Sequence, residues 1–206
     1  MKTANLIGIS RHRIGVDGAG VTTLVAFHGC PLHCKYCLNP KALSIEGVWK
    51  KCTPFELYNY VKQDDLYFRA TSGGVTFGGG EPLVSYREIL QFHEICMKKG
   101  HKWKINIETS LNVPKAFVEV LEEFVAHWIV DIKDMNPEIY KAYTGTDNAQ
   151  VIENLQHLIN NKERITVRVP LIPAFNTEAD VDNSITILHK MGVKDIDKFT
   201  YIKKYH

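Results

Sequence analysis

At 206 residues and 45% hydrophobic content, the chain is long enough for one domain with a full core. A formal net charge of +2 gives no general case for binding nucleic acid or a membrane surface. No apolar run reaches the length of a membrane span, residues 1–5 lack the apolar core of a signal peptide, and five cysteines are too sparse and odd in number for a disulfide framework, so a cytoplasmic chain with reduced thiols is expected.

Residues 21–27, VTTLVAF, are β-branched and apolar and predict a buried first strand. A loop carrying Cys30, Cys34 and Cys37 follows directly. Thr53, Pro54 and Glu56 then mark a helix start, with a cap, a first-turn proline and a capping box. Cys52, one residue before the cap, reads as an apolar staple against Leu57. Residues 74–77 predict a second strand that runs into Gly78-Gly79-Gly80-Glu81-Pro82. The next helix stripes Tyr86, Ile89, Leu90, His93, Cys96 and Met97 on one face and stops at Gly100, so His93 and Cys96 read as packing residues.

Residues 104–109 alternate as a third strand, and Pro114 opens a helix with Phe117, Val120, Leu121 and Phe124 inward. Residues 128–133 make the fourth strand. Asn136-Pro137 starts a short helix and residues 151–159 form another. Residues 166–172 are the fifth strand, Val181, Ile185 and Leu188 stripe a helix that ends at Gly192, and residues 198–202 are the sixth strand. Six such repeats predict an α/β fold: a parallel sheet with helices outside, curved into an open, partial (β/α)6 TIM-like barrel. Its chemistry belongs at the C-terminal ends of the strands, where the cysteine loop, Gly79-Gly80-Glu81, Glu108-Thr109 and Asp131-Ile132-Lys133 all fall.

Three thiols in C-x3-C-x2-C spacing suit iron–sulfur, zinc or copper(I). A cube of four irons usually takes four cysteines, so three local ones leave one iron open. A structural zinc site normally pairs two C-x2-C knuckles, and only one is here. His33 lies next to Cys34 and could hardly reach the same metal.

The spacing with Tyr36 before the third cysteine resembles the signature of the radical S-adenosylmethionine enzymes. The longer run Val16-Asp17-Gly18-Ala19-Gly20 followed by Gly29-Cys30-Pro31 and on to Asn39-Pro40 resembles their glycyl-radical-enzyme activating branch, the group of pyruvate formate-lyase activating enzyme, which usually has proline where Ala19 stands. The resemblance runs over nearly the whole chain. It implies one [4Fe–4S] cluster on Cys30, Cys34 and Cys37. The fourth iron would take the amino nitrogen and carboxylate of S-adenosylmethionine. Reductive cleavage would give a 5′-deoxyadenosyl radical that abstracts a glycine Cα hydrogen from a partner glycyl radical enzyme.

The same resemblance assigns Gly79, Gly80 and the Glu81 carboxylate to the methionine ammonium. It assigns Glu108 and Thr109 to the ribose or, with Asp131, to a monovalent cation; Glu108 stands where the family often has aspartate. Asp131 and Lys133 point the same way on a strand, either as a simple ion pair or as cofactor ligands, and Lys133 is also a catalytic candidate. Arg168 needs a partner inside its apolar strand, and the S-adenosylmethionine carboxylate is one. Tyr36 and His206 are cofactor candidates. Asp17 is a catalytic, substrate-side candidate whose plain alternative is a turn aspartate. Thr109 is equally a satisfied strand-end hydroxyl. Flavodoxin or ferredoxin is the implied electron donor, a monomer the implied state, and a segment beyond His206 is expected by comparison with the family. Two other functions stay open: a radical S-adenosylmethionine enzyme acting on another peptide or small molecule, and a non-enzymatic iron–sulfur electron carrier.

Overall fold

A computed structural model describes residues 3–201. The chain opens with a long hairpin, β1 (Ala4–Ile14) against β2 (Val21–Phe27), and a short β3 (Lys50–Cys52) pairs with the start of β1. The βα repeats follow: α1 (Pro54–Val61), α2 (Asp65–Thr71), β4 (Gly74–Gly79), α3 (Tyr86–Lys98), β5 (Lys104–Thr109), α4 (Lys115–Glu122) and β6 (Val125–Asp131). Then come α5 (Pro137–Thr144), α6 (Ala149–Asn160), β7 (Ile165–Leu171), α7 (Glu178–Met191) and β8 (Asp195–Thr200). Eight strands form one open sheet in the order β3-β1-β2-β4-β5-β6-β7-β8, and β2 with β4 to β8 are parallel. The six expected parallel strands are these.

Two antiparallel strands at the β2 edge are additional. β1 escapes a period-2 reading because its apolar alternation fades after Ile9 into Ser10-Arg11-His12-Arg13. A register shift lies between Ser10 and Arg13, and His12 takes a left-handed φ of 56° there. Arg11 reaches back to the buried Asp64 at 3.2 Å and the Tyr60 carbonyl at 2.8 Å, so side-chain partners hold what hydrophobicity does not announce.

The α1 cap forms as its residues dictate: Thr53 accepts from the Glu56 amide at 3.2 Å, and the Glu56 carboxylate accepts from the Thr53 amide at 2.8 Å. Cys52, Leu57 and Cys96 lie in the main core with Phe77, Phe92 and Trp128. Each such full burial of a large apolar side chain is worth roughly 1.5–3 kcal/mol. Two stripe positions turn outward instead: Met97 and Val120 are exposed, and Phe92 fills the α3 core position. His93 stacks on Phe124 with ring centroids 4.0 Å apart. β8 starts three residues earlier than expected, because its pairing with β7 begins at Asp195 opposite Thr166. No helix among the described residues is long and apolar enough to cross a membrane.

Candidate cofactor site at the strand ends

The cysteine loop leaves β2 at Phe27 and is pinned from three sides. Gly29 donates to the Ala42 carbonyl at 2.8 Å and accepts from the Glu81 amide at 2.8 Å, while Gly80 donates to the Phe27 carbonyl at 2.9 Å. Across the rim, His33 and Lys35 donate their amides to Thr144 and Tyr143 at the end of α5. Leu32 is buried beneath. The half-buried free thiols of Cys30, Cys34 and Cys37 line one pocket together with Gly79, Gly80, Glu108, Thr109, Asp131, Lys133 and Tyr201. The pocket encloses about 110 Å³ and opens to solvent beyond it.

The glycine run serves packing first. A Cβ on Gly79 would meet Ala26 Cα at 2.8 Å, and one on Gly80 would run into the Gly29 carbonyl. Gly79 also needs its φ of +98°. The glycines therefore weld the end of β4 to the cysteine loop while lending backbone to the pocket. Asn39, two residues past Cys37, donates to the Gly79 carbonyl at 2.9 Å.

Glu81 sits just behind the pocket wall. Its carboxylate does not line the pocket and is only 1% exposed. It accepts from Thr109 Oγ1 (2.7 Å), the Leu83 amide (3.2 Å), the Ser110 amide (2.9 Å) and Ser110 Oγ (2.7 Å). Burial pushes this carboxyl above the usual range, and the four donors pull it back. A carboxylate bonded in this way ties the β4 and β5 strand ends together.

Glu108 and Asp131 stand side by side at the ends of β5 and β6, and each has its own cation. Arg168 donates to Glu108 at 2.8 Å and to the Val16 carbonyl at 2.8 Å; Lys133 meets Asp131 at 3.2 Å and the Tyr201 hydroxyl at 3.3 Å. Burial, then the Asp131 charge, raises the Glu108 carboxyl, with Arg168 opposing. Burial draws Lys133 down, but Asp131, Tyr201 and Cys34 outweigh it and hold the ammonium well above its ordinary value. Arg168 does not line the thiol pocket: its guanidinium meets Glu108 and the Val16 carbonyl of the 15–20 turn.

Asp17 lies outside the pocket too. It is completely buried, taking the Thr22 hydroxyl and Arg13 Nε at 2.6 Å, while its carbonyl accepts from Thr76 and Asn106. The VDG turn thus plugs the barrel interior from the start of β2. Tyr36 packs edge-on against Tyr143 and Phe175, in a small cluster with Cys34 and Tyr201, rather than along the pocket wall. His206 lies outside the described residues. Ser110, Asn39 and Tyr201 were not anticipated, since only contacts across 29 to 68 residues of sequence give them work.

The donor set fits a sulfur-ligated cluster. Burial and the Glu81 charge push the Cys30 thiol up to about 12, and burial also raises Cys34, so these are poor free thiolates that a metal would deprotonate. The Tyr140 hydroxyl has no hydrogen-bond partner among the described residues; burial acts on it first, then the charges of Cys34, Lys133, Glu81 and Cys30, and it would offer a donor to bound sulfur. Among the described residues no three His, Cys, Asp or Glu side chains close around a single ion. Thiols spread around a pocket wall suit a cluster of several irons.

The Radical SAM superfamily model matches residues 24–194. The (2S)-3-sulfopropanediol dehydratase activating enzyme of Klebsiella oxytoca is 31% identical over 240 aligned positions, covering 86% of this chain and 75% of that one. That alignment is longer than this chain, so the relative carries segments absent here. The pyruvate formate-lyase-activating enzyme of Listeria monocytogenes is 29% identical over 195 positions, covering 90% and 77%. In fold the chain is similar to Streptococcus suis SuiB bound to S-adenosylmethionine, at a TM-score of 0.66 and 14% identity over 88% of this chain, which spans 42% of that one. The architecture of that neighbour, the thiol pocket at the strand ends and the match over most of the chain agree: this chain belongs to the Radical SAM superfamily, enzymes that use a [4Fe–4S] cluster and S-adenosylmethionine.

Proposed function

We propose that the chain is a glycyl-radical-enzyme activating enzyme, with residues 1–206 acting as a single domain. The observation that carries this reading is the C-x3-C-x2-C loop, whose thiols share a pocket with the Gly79-Gly80 backbone and Lys133. The likeness to activating enzymes over most of the chain supports it. Cys30, Cys34 and Cys37 would hold one cluster, which when bound supplies the electron that splits S-adenosylmethionine into methionine and a 5′-deoxyadenosyl radical. The chain's own residues bind, orient and exclude. Gly79 and Gly80 present backbone to the ligand, Thr109 and Asp131 line the wall beside it, and Lys133 offers its ammonium to a carboxylate. Glu81 acts by positioning Thr109 and Ser110, not by ligation. Asp17 holds the VDG turn beneath the site, and Arg168 with Lys133 neutralises the two acids where a monovalent cation would otherwise be needed.

The substrate would be one glycine of a partner protein, which loses its Cα hydrogen. Flavodoxin or ferredoxin would be the donor, and the working form a cytoplasmic monomer. The test is anaerobic incubation with S-adenosylmethionine and dithionite, with and without Cys34→Ala. The wild type is expected to form 5′-deoxyadenosine and, with a matched partner, a glycyl radical signal by electron spin resonance. Product formation unchanged by Cys34→Ala overturns the proposal, as does iron near eight per chain for the single cluster.

A further inference from the structure

Helix α5 is fastened to the cysteine loop on both sides of Cys34. The Lys35 amide donates to the Tyr143 carbonyl at 3.1 Å, and the His33 amide donates to the Thr144 carbonyl at 3.0 Å. The helix is itself fixed at both ends, by the Asn136 side chain accepting from the Glu138 amide and by Gly145 at a left-handed φ of 86°. Tyr140 and Tyr143 project from it fully buried, and neither hydroxyl has a hydrogen-bond partner among the described residues. The backbone of Tyr140 is paired: its amide donates to the Asn136 carbonyl at 2.9 Å, and its carbonyl accepts from Thr144 Oγ1 at 2.8 Å. Its phenol oxygen is the polar group left over. A buried hydroxyl without an acceptor costs free energy, and such a group calls for a physical reason.

The neighbours decide what the Tyr140 proton can meet. Burial keeps this phenol protonated, and the charges acting on it after burial are those of Cys34, Lys133, Glu81 and Cys30, in that order. An ammonium cannot accept a proton bond, and Glu81 already takes Thr109, Ser110 and two backbone amides. Sulfur remains. A protonated thiol is a weak acceptor, whereas an iron-bound thiolate carries charge and accepts well. We propose that Tyr140 is a positioning residue for the cluster, its hydroxyl donating to the iron-bound sulfur of Cys34 and thereby raising the cluster's reduction potential. The inference rests on the reading of Cys30, Cys34 and Cys37 as the cluster's ligands. Its physical basis is charge: reduction adds one electron to the cluster, and a hydrogen-bond donor on sulfur stabilises the more negative form.

The experiment loads the full chain with iron and sulfide anaerobically, leaves S-adenosylmethionine out, and measures iron content and the cluster's midpoint potential by redox titration. At the wild-type midpoint, Tyr140→Phe is expected to hold about tenfold less reduced cluster relative to oxidised, which is a midpoint about 59 mV more negative for a one-electron couple. A fluorinated tyrosine placed at position 140, nearly the same size and a stronger proton donor, should move the midpoint the other way. Opposite signs from side chains of one shape do not come from packing. Tyr143→Phe should shift the ratio less, because after burial its hydroxyl faces Tyr201 and Lys133 ahead of Cys34. A ratio that Tyr140→Phe leaves within about twofold of wild type overturns the proposal, and is the result expected if a buried water satisfies the hydroxyl. So does a shift of the same sign from both replacements, or a larger effect at Tyr143. Should Tyr140→Phe take up no cluster, the fluorinated chain decides alone: a rise supports the proposal, and no change or a fall overturns it. A wild type that takes up no reducible cluster overturns the proposed function itself, a distinguishable result.

Discussion

Replacing Glu81 by glutamine separates two roles that a carboxylate at this position could have. The carboxylate accepts four hydrogen bonds: two from backbone amides, which can only donate, and two from hydroxyls, which can turn. Glutamine is the same size but has one oxygen. With that oxygen toward Ser110, its NH2 faces the Thr109 hydroxyl, which can rotate to accept, and the Leu83 amide, which cannot. One buried donor is left unpaired, at about 1–3 kcal/mol, and the surviving bonds lose their charge assistance, offset in part by no longer burying a charge. The net loss should be about 3 kcal/mol, or roughly 6–12 °C in melting temperature for a domain of this size. Thermal unfolding of the metal-free chain by circular dichroism measures it. A melting temperature within about 1 °C of wild type, together with weakened S-adenosylmethionine binding by the loaded protein, would refute the tying role and return Glu81 to the ligand.

Other outcomes follow from the same contacts. Tyr140→Phe removes a buried hydroxyl with no partner among the described residues, so the metal-free chain should gain about 1 kcal/mol; the loaded chain should lose that gain if the hydroxyl donates to sulfur, and a shift in cluster potential would report it. A Glu108→Gln/Arg168→Met double-mutant cycle on urea unfolding should give a coupling of about 1–2 kcal/mol, and additive single effects would dissolve the ion pair. Cys30 and Cys34 are protonated at neutral pH in the metal-free chain because burial holds both thiols high. Loading releases those protons, so apparent iron affinity should rise from pH 6.5 to 8.5, and a pH-independent affinity would contradict it. Cys52→Ala and Cys96→Ala should keep full iron content but lower the melting temperature, since both thiols lie in the core.

The sequence by itself determined the parallel strands, the helix starts and the cluster of chemistry at one rim. Those signals are local: a β-branched run from Val21 to Phe27, a cap at Thr53, three cysteines within eight residues. Spacing of two, three or four residues is set by backbone geometry, so a reader of the chain meets it directly. The tertiary structure alone decided which polar groups meet. It turned Glu81 to Thr109 and Ser110, 28 and 29 residues away, spent Arg168 on Glu108 across 60, and closed Lys133 on Tyr201 across 68. It also added β1, whose polar second half is held by Asp64 instead of by burial. A buried polar atom needs a partner wherever the fold brings one, and that partner lies near it in space, seldom in sequence.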